Sequence, residues 1–152
     1  MKMTIDPGTN GTGFAIWNNE GILKEYGVIN PPSKYTEWRE RAEYVVSQLE
    51  IEIKFYSPSI SSYYVEEPSF FQSTGGRVTA SSGSLVKLSM LVGMIIDHFN
   101  AKTVKVNEWK GQLPKRVVEN RVKKILGKEK SKNIKSHAFD AIGIGLYLQG
   151  RF

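Results

Sequence analysis

The sequence predicts an α/β fold: a mixed five-stranded sheet, three antiparallel strands and then parallel ones, with helices on both faces. Two observations carry this. The first 29 residues hold three short β-rich runs joined by glycine-containing turns. After Pro31-Pro32 helical and strand-like segments alternate, giving the order βββ-α-β-α-β-α-α. A length of 152 residues suits one domain, residues 1–152, with one substantial core.

Each element has its own signal. Thr4–Asp6 and Gly13–Trp17 read as a hairpin, and "ILKEYGVI" (Ile22–Ile29) continues the meander. From Lys34 to about Phe55, Trp38, Ala42, Val45, Val46, Leu49 and Ile53 recur at helical spacing. "SSYYVEEP" (Ser61–Pro68) is a β-rich run closed by proline, hence a strand. Residues 69 to 83, "SFFQSTGGRVTASSG", have loop composition. Leu85, Leu88, Val92, Ile95, Ile96 and Phe99 then mark a second helix. "KTVKVNEW" alternates as a strand, with Val104 and Val106 on one face. Pro114 suits the first turn of a helix running to Leu126, which Gly127 caps. The polar stretch "GKEKSKNIK" leads to a last helix from about Ser136 to Leu148.

Composition excludes several classes. The absence of cysteine removes disulfide frameworks, thiol catalysis and Cys-ligated zinc, and it fits a reducing, cytoplasmic setting. "MKMTIDPG" offers no secretory pattern. The longest apolar stretch, Leu85 to Ile96, is broken by Lys87, Ser89 and Gly93, so no membrane span is expected. The net charge of +6 is unevenly placed. Residues 1–101 sum to −3, whereas residues 102–135 hold 12 basic and 3 acidic side chains, a net of +9. Such a block points to a polyanionic partner or, more plainly, to a solvated helix face.

Four positions form a candidate site: Asp6, Glu66 (beside Glu67), His137 and Asp140. Asp6 ends the first strand and Glu66 falls near the end of a later one. His137 and Asp140, three apart, share a helix face. Carboxylates and a neutral imidazole converging there suit Mg²⁺, which takes hard oxygen ligands and keeps waters and substrate phosphates in its shell. Each residue also has a plain structural reading. Asp6 before Pro-Gly suits a turn, adjacent glutamates are usually solvated, and a lone histidine is usually structural. Asp140, inside the apolar "HAFDAIGIGLYL", fits that reading least, because a buried acid needs a partner. The glycines of "DPGTNGTG" match neither a Walker A loop nor a dinucleotide fingerprint, though a bare phosphate-binding turn stays open.

Three stretches together, "IDPGTNGTGFAIW", "YVEEPSFF" and "KSHAFDAIGIGLYL", resemble the RuvC-type Holliday junction resolvases of the RNase H-like nuclease superfamily. The likeness spans nearly the whole chain, in the family's order. It looks more like bacteriophage versions than typical bacterial ones. The resemblance implies a site binding Mg²⁺ or Mn²⁺, with two ions, through Asp6, Glu66, His137 and Asp140. The position of His137 is an aspartate in many members of the family and a histidine in others. It implies a homodimer that nicks two strands of a four-way junction, leaving 5′-phosphate and 3′-hydroxyl ends, in a bacterial or phage-infected cytoplasm. It also implies an aromatic after the strand glutamate that stacks on bases, here Phe70 or Phe71. Arg77, Lys110 and Lys115 lie where the family carries DNA contacts, and Arg116 joins Lys115 at a helix start that suits phosphates. Lys123, Lys124, Lys128, Lys130 and Lys132 would follow the backbone without reading bases.

Two other readings remain open. One is a nucleotide-binding domain of the actin and sugar-kinase type, which also begins with an acidic hairpin and a glycine-rich turn. The other is an inert branched-DNA-binding subunit, against which the acids argue, since carboxylates repel phosphates unless metal is present. The apolar helix Leu85–Phe99 is a candidate dimer interface or a core element.

Overall fold

A computed structural model describes residues 1–56, 58–68 and 83–152. Phe70, Phe71 and Arg77 therefore lie outside the described residues. Strands β1 (Lys2–Asp6), β2 (Thr12–Trp17), β3 (Leu23–Ile29), β4 (Ser62–Glu66) and β5 (Lys102–Val104) form one sheet in the order β3-β2-β1-β4-β5. β1 pairs antiparallel with β2, and β2 with β3, while β4 runs parallel to both β1 and β5. This is the expected mixed sheet. Helices α1 (Trp38–Ile53), α2 (Ser84–Phe99), α3 (Val106–Trp109), α4 (Lys115–Leu126), α5 (Lys128–Ser131) and α6 (Ser136–Tyr147) surround it.

Successive strand residues point to opposite faces, so each strand feeds two cores. Met3 and Ile5 of β1, Phe14 and Ile16 of β2 and Val65 of β4 pack with Ala42, Val45 and Leu49 of α1 and with Leu91, Val92 and Ile95 of α2. On the other face Ala15 and Trp17 meet Phe139, Ala141, Ile142 and Leu146 of α6 and Val122 of α4. Val104, Trp109, Val118 and Ile144 close a third cluster beside it. Every residue of α6 from Ala138 to Leu146 is buried, because the sheet covers one side while α4 and α3 pack against it as well. α4 buries only Val118 and Val122 and turns its basic residues outward.

Some boundaries differ from the sequence reading. α1 starts at Trp38 rather than Lys34, because the chain after Pro31-Pro32 first makes a turn in which the Tyr35 N–H donates to Pro32 O at 3.1 Å. "KTVKVNEW" is not one strand: β5 stops at Val104 and Val106–Trp109 forms a helical turn. Among the described residues β5 pairs with β4 alone, whose last paired residue is Glu66. Beyond that point Glu108 reaches back to the Lys105 N–H at 3.3 Å and favours the turn. The polar stretch after Gly127 carries the short α5. Gly127 caps α4 as expected, with φ +86° and its N–H on Lys123 O at 2.9 Å. Among the described residues no helix is long and apolar enough to cross a membrane.

α6 approaches the sheet closely because small residues line its contact face. A Cβ on Gly143 would lie 2.6 Å from the Trp109 ring, and one on Gly145 would overlap the Trp17 indole. That indole donates to Thr4 Oγ1 at 3.2 Å, and Thr4 donates in turn to Ala141 O at 2.8 Å, tying β1, β2 and α6 together. Gly145→Ala should therefore push α6 away from the sheet and cost about 3 kcal/mol of stability, the upper part of the usual overpacking range. Urea denaturation checks this. A variant as stable as the parent would show that the helix has room to spare.

Candidate active site

Register places the first two acids side by side. Ile5 of β1 pairs with Val65 of β4, so Asp6 and Glu66 follow at the carboxyl ends of adjacent parallel strands. Ile5 and Val65 face the α1/α2 core, and alternation turns Asp6 and Glu66 toward α6. Carboxyl ends of parallel strands are where open α/β sheets generally gather ligands. α6 brings His137 and Asp140 there from above. Gly13, paired with Asp6 across β2, permits the approach, since a Cβ there would collide with the His137 carbonyl. The turn between β1 and β2 lies against the same ring: a Cβ on Gly8 would be 3.0 Å from His137 Cε1.

The structure joins these four residues electrostatically, and two of them directly. His137 Nδ1 lies 2.7 Å from Asp6 Oδ2. Asp6 is only 5% exposed and Asp140 8%. The Asp6 hydrogen bond raises the His137 pKa above its ordinary value, against the opposing effect of burial. Glu66 is pushed up to about 7, first by burial and then by the negative charge of Asp6. Asp140 is also raised, by burial and by Asp6, while Lys110, Lys115 and His137 pull it down. The set is thus a buried, under-compensated cluster of negative charge.

Glu66 has two partners that sequence reasoning did not assign. The Trp109 indole donates to Glu66 Oε2 at 2.7 Å, and Lys110 Nζ lies 3.5 Å from the same oxygen while resting over the Trp109 ring at 4.6 Å. Reading residues 102–109 as a strand hid Trp109; an indole next to a lysine just after a short strand was the available signal. Lys110, expected as a DNA contact, is 19% exposed and faces the acids. Lys115 and Arg116 are the first two residues of α4, both exposed, and Lys115 is close enough to lower the pKa of Asp140 and of His137. Glu67 continues the sheet through its backbone, its N–H donating to Val104 O at 2.9 Å.

The donor set fits a hard divalent cation. It offers three carboxylates that feel one another's charge and an imidazole beside Asp6 and Asp140, with Lys110, Lys115 and His137 as counter-charge among the described residues. Among the described residues no three of these groups close around one point at ligating distance. The carboxylates repel one another at any such spacing, and a cation between them would relieve that repulsion.

No protein-family model matches the sequence, and no curated protein does. Solved structures do resemble the fold. Thermus thermophilus RuvC in complex with a Holliday junction substrate superposes with a TM-score of 0.68 at 17% identity, covering 96% of this chain and 90% of that one. A second Thermus thermophilus RuvC structure gives 0.64 at 18% identity, covering 96% and 91%. The chain has the RuvC-like RNase H fold.

Burial of Glu66 has a consequence for stability. Its folded-state pKa of about 7 exceeds the ordinary 4.5, so between those values the folded protein binds a proton that the unfolded chain releases. Stability from this group is therefore full at low pH and falls as pH rises through the window. The shift corresponds to at most roughly 3 kcal/mol. In metal-free buffer Glu66→Gln should match the parent near pH 4 and exceed its stability by about 2 kcal/mol near pH 8. Thermal melts across pH check this, and a stability difference that does not change with pH would contradict it.

Proposed function

We propose that this chain is a metal-dependent, structure-selective endodeoxyribonuclease that resolves four-way or branched DNA by paired nicks. One observation carries the reading: Asp6, Glu66, His137 and Asp140 lie within electrostatic reach of one another at the carboxyl ends of β1 and β4, next to the strongly basic stretch 102–135. A buried acidic cluster beside a basic surface suits a phosphodiester substrate delivered to a metal site. Two neighbours of the same fold are RuvC proteins, one of them bound to a Holliday junction.

Asp6, Glu66 and Asp140 would hold Mg²⁺, two ions per site, with Mn²⁺ as a substitute and His137 at the edge of the set. Bound there, the metal would lower the pKa of a water and neutralise charge on the scissile phosphate. The protein's own groups do the rest. Trp109 fixes Glu66 through one carboxylate oxygen. Asp6 and His137 share a proton at Nδ1, leaving the imidazole oriented. Lys110, Lys115 and Arg116 meet phosphates at the rim, and the outward basic residues of α4 follow the backbone. In the hydrolysis, the water oxygen bonds to phosphorus as the P–O3′ bond breaks, and O3′ leaves with a proton. The products carry 5′-phosphate and 3′-hydroxyl ends. Phe70 or Phe71 would stack on bases near the crossover, and Arg77 would contact DNA from the same loop.

Symmetric nicking calls for two sites, and α2 offers a face for a second copy. Its inner side is core, but Val86 and Met90 are 64% and 50% exposed. We assign the homodimer contact to this face and place the protein in the cytoplasm of a bacterium or phage-infected host.

A labelled synthetic four-way junction, with a linear duplex as control, tests the reading. Nicking should require Mg²⁺ and favour the junction. Asp6→Asn and Asp140→Asn should each lower the rate at least about 1000-fold, or roughly 4 kcal/mol, while junction binding survives. Parental rates in both variants would refute the metal site. ATP binding without DNA affinity would favour the kinase-like alternative, and binding without cleavage in Mg²⁺ or Mn²⁺ the inert subunit.

A further inference from the structure

A second polar cleft, of about 410 Å³, lies against the turn that follows Asp6. Thr9, Asn10, Tyr35, Trp38, Arg41 and Lys87 are among its lining, and among the described residues no carboxylate is. Arg41 is half-buried. Its Nη1 donates to Tyr35 O and its Nη2 to Thr9 O, both at 3.3 Å. Two carbonyls orient the guanidinium but leave its charge uncompensated. Its neighbour Arg39, by contrast, is paired with Glu43 at 2.8 Å. Neither Arg41 nor Lys87 joins an ion pair among the described residues. The Trp38 indole N–H, on the same wall, is a buried donor with no partner among the described residues. Arg41 and Lys87 lie within residues 1–101, whose net charge is −3, where compensation would be the easiest outcome.

The turn is a wall common to two sites. Gly8 and Gly11 lie against the His137 ring on one side, and Thr9 O holds Arg41 on the other. An anion in the cleft therefore sits across that turn from the His137 ring.

We infer that this cleft is a binding subsite for a backbone phosphate of the DNA substrate, held by Arg41 and Lys87 and distinct from the basic surface of residues 102–135. It rests on the nuclease reading and extends it: the substrate is gripped on both sides of the acidic cluster. Arg41 supplies a fixed fork, which suits a phosphate's oxygens. Lys87, exposed on the first turn of α2, adds a mobile charge.

Fluorescence anisotropy of a labelled four-way junction, in Ca²⁺ buffer over a salt series, tests this. Lys87→Gln should weaken binding several-fold and make the slope of log K against log salt shallower by about one. Lys87→Glu should weaken it about tenfold or more, while Lys54→Glu, an equal charge change at the far end of α1, should shift it less than about twofold. Arg41→Gln should act in the same direction as Lys87→Gln. The Lys87 variants guard against a folding artefact, since that side chain is exposed. If they bind like Lys54→Glu while the parent binds tightly, the subsite is refuted and the nuclease reading stands. If the parent binds no DNA, both fall. ATP binding that Lys87→Glu abolishes, with junction affinity unchanged, would assign the cleft to a nucleotide and overturn the inference.

Discussion

Burying like charges together is the constraint on which the rest of this molecule depends. Asp6, Glu66 and Asp140 sit at one end of the sheet, out of most water, with their charges opposing one another. Such a cluster persists only if the surroundings hold it in place. Parallel pairing of β1 with β4 fixes Asp6 beside Glu66. Glycines at 13, 143 and 145 let α6 lie close enough to bring Asp140 and His137 down on them. The hydrogen bonds from Trp17 to Thr4, and from Thr4 to Ala141, lock that contact from within. Trp109 and Lys110 both reach one oxygen of Glu66, and His137 reaches Asp6.

The same constraint gives the surface its meaning. Carboxylates alone would repel a nucleic-acid backbone. The chain answers with a net +9 over residues 102–135, which carries α4 and its exposed Lys115 and Arg116 to the edge of the site. The cleft of Arg41 and Lys87 adds positive charge on the opposite side of the β1–β2 turn. A phosphate chain passing between them would be held at both flanks, with the acidic cluster at the middle.

Much of this was legible in the sequence, for physical reasons that differ by element. Helices α1 and α2 announced themselves through apolar periodicity, because each has one face that must be apolar, while the three leading strands showed as β-rich runs between turns and α6 as an apolar stretch. Asp140 stood out because an acid in an apolar helix has to be explained. Residues 102–109 misled because Val104 and Val106 alternate as a strand would, yet the β4–β5 pairing ends at Val104 and the chain turns helical at Val106. That error concealed Trp109. The contacts from Trp109 to Glu66 and from His137 to Asp6 span 43 and 131 residues, and no local pattern encodes such pairs. Arg41 was equally silent, since on α1 it reads as one more solvated charge until Thr9 O is seen to hold it.

Direct binding of a metal to the DNA-free protein tests the central claim most simply. Mn²⁺ titrated into the protein near pH 8 and followed by electron paramagnetic resonance should lose its free-ion signal to about two sites per chain. Binding should weaken as pH falls below about 7, where Glu66 takes up its proton, and Asp140→Asn should remove at least one site. A free-ion signal undiminished by the parent protein at millimolar Mn²⁺ would contradict the account: the buried acids would then be a structural feature and not a metal centre.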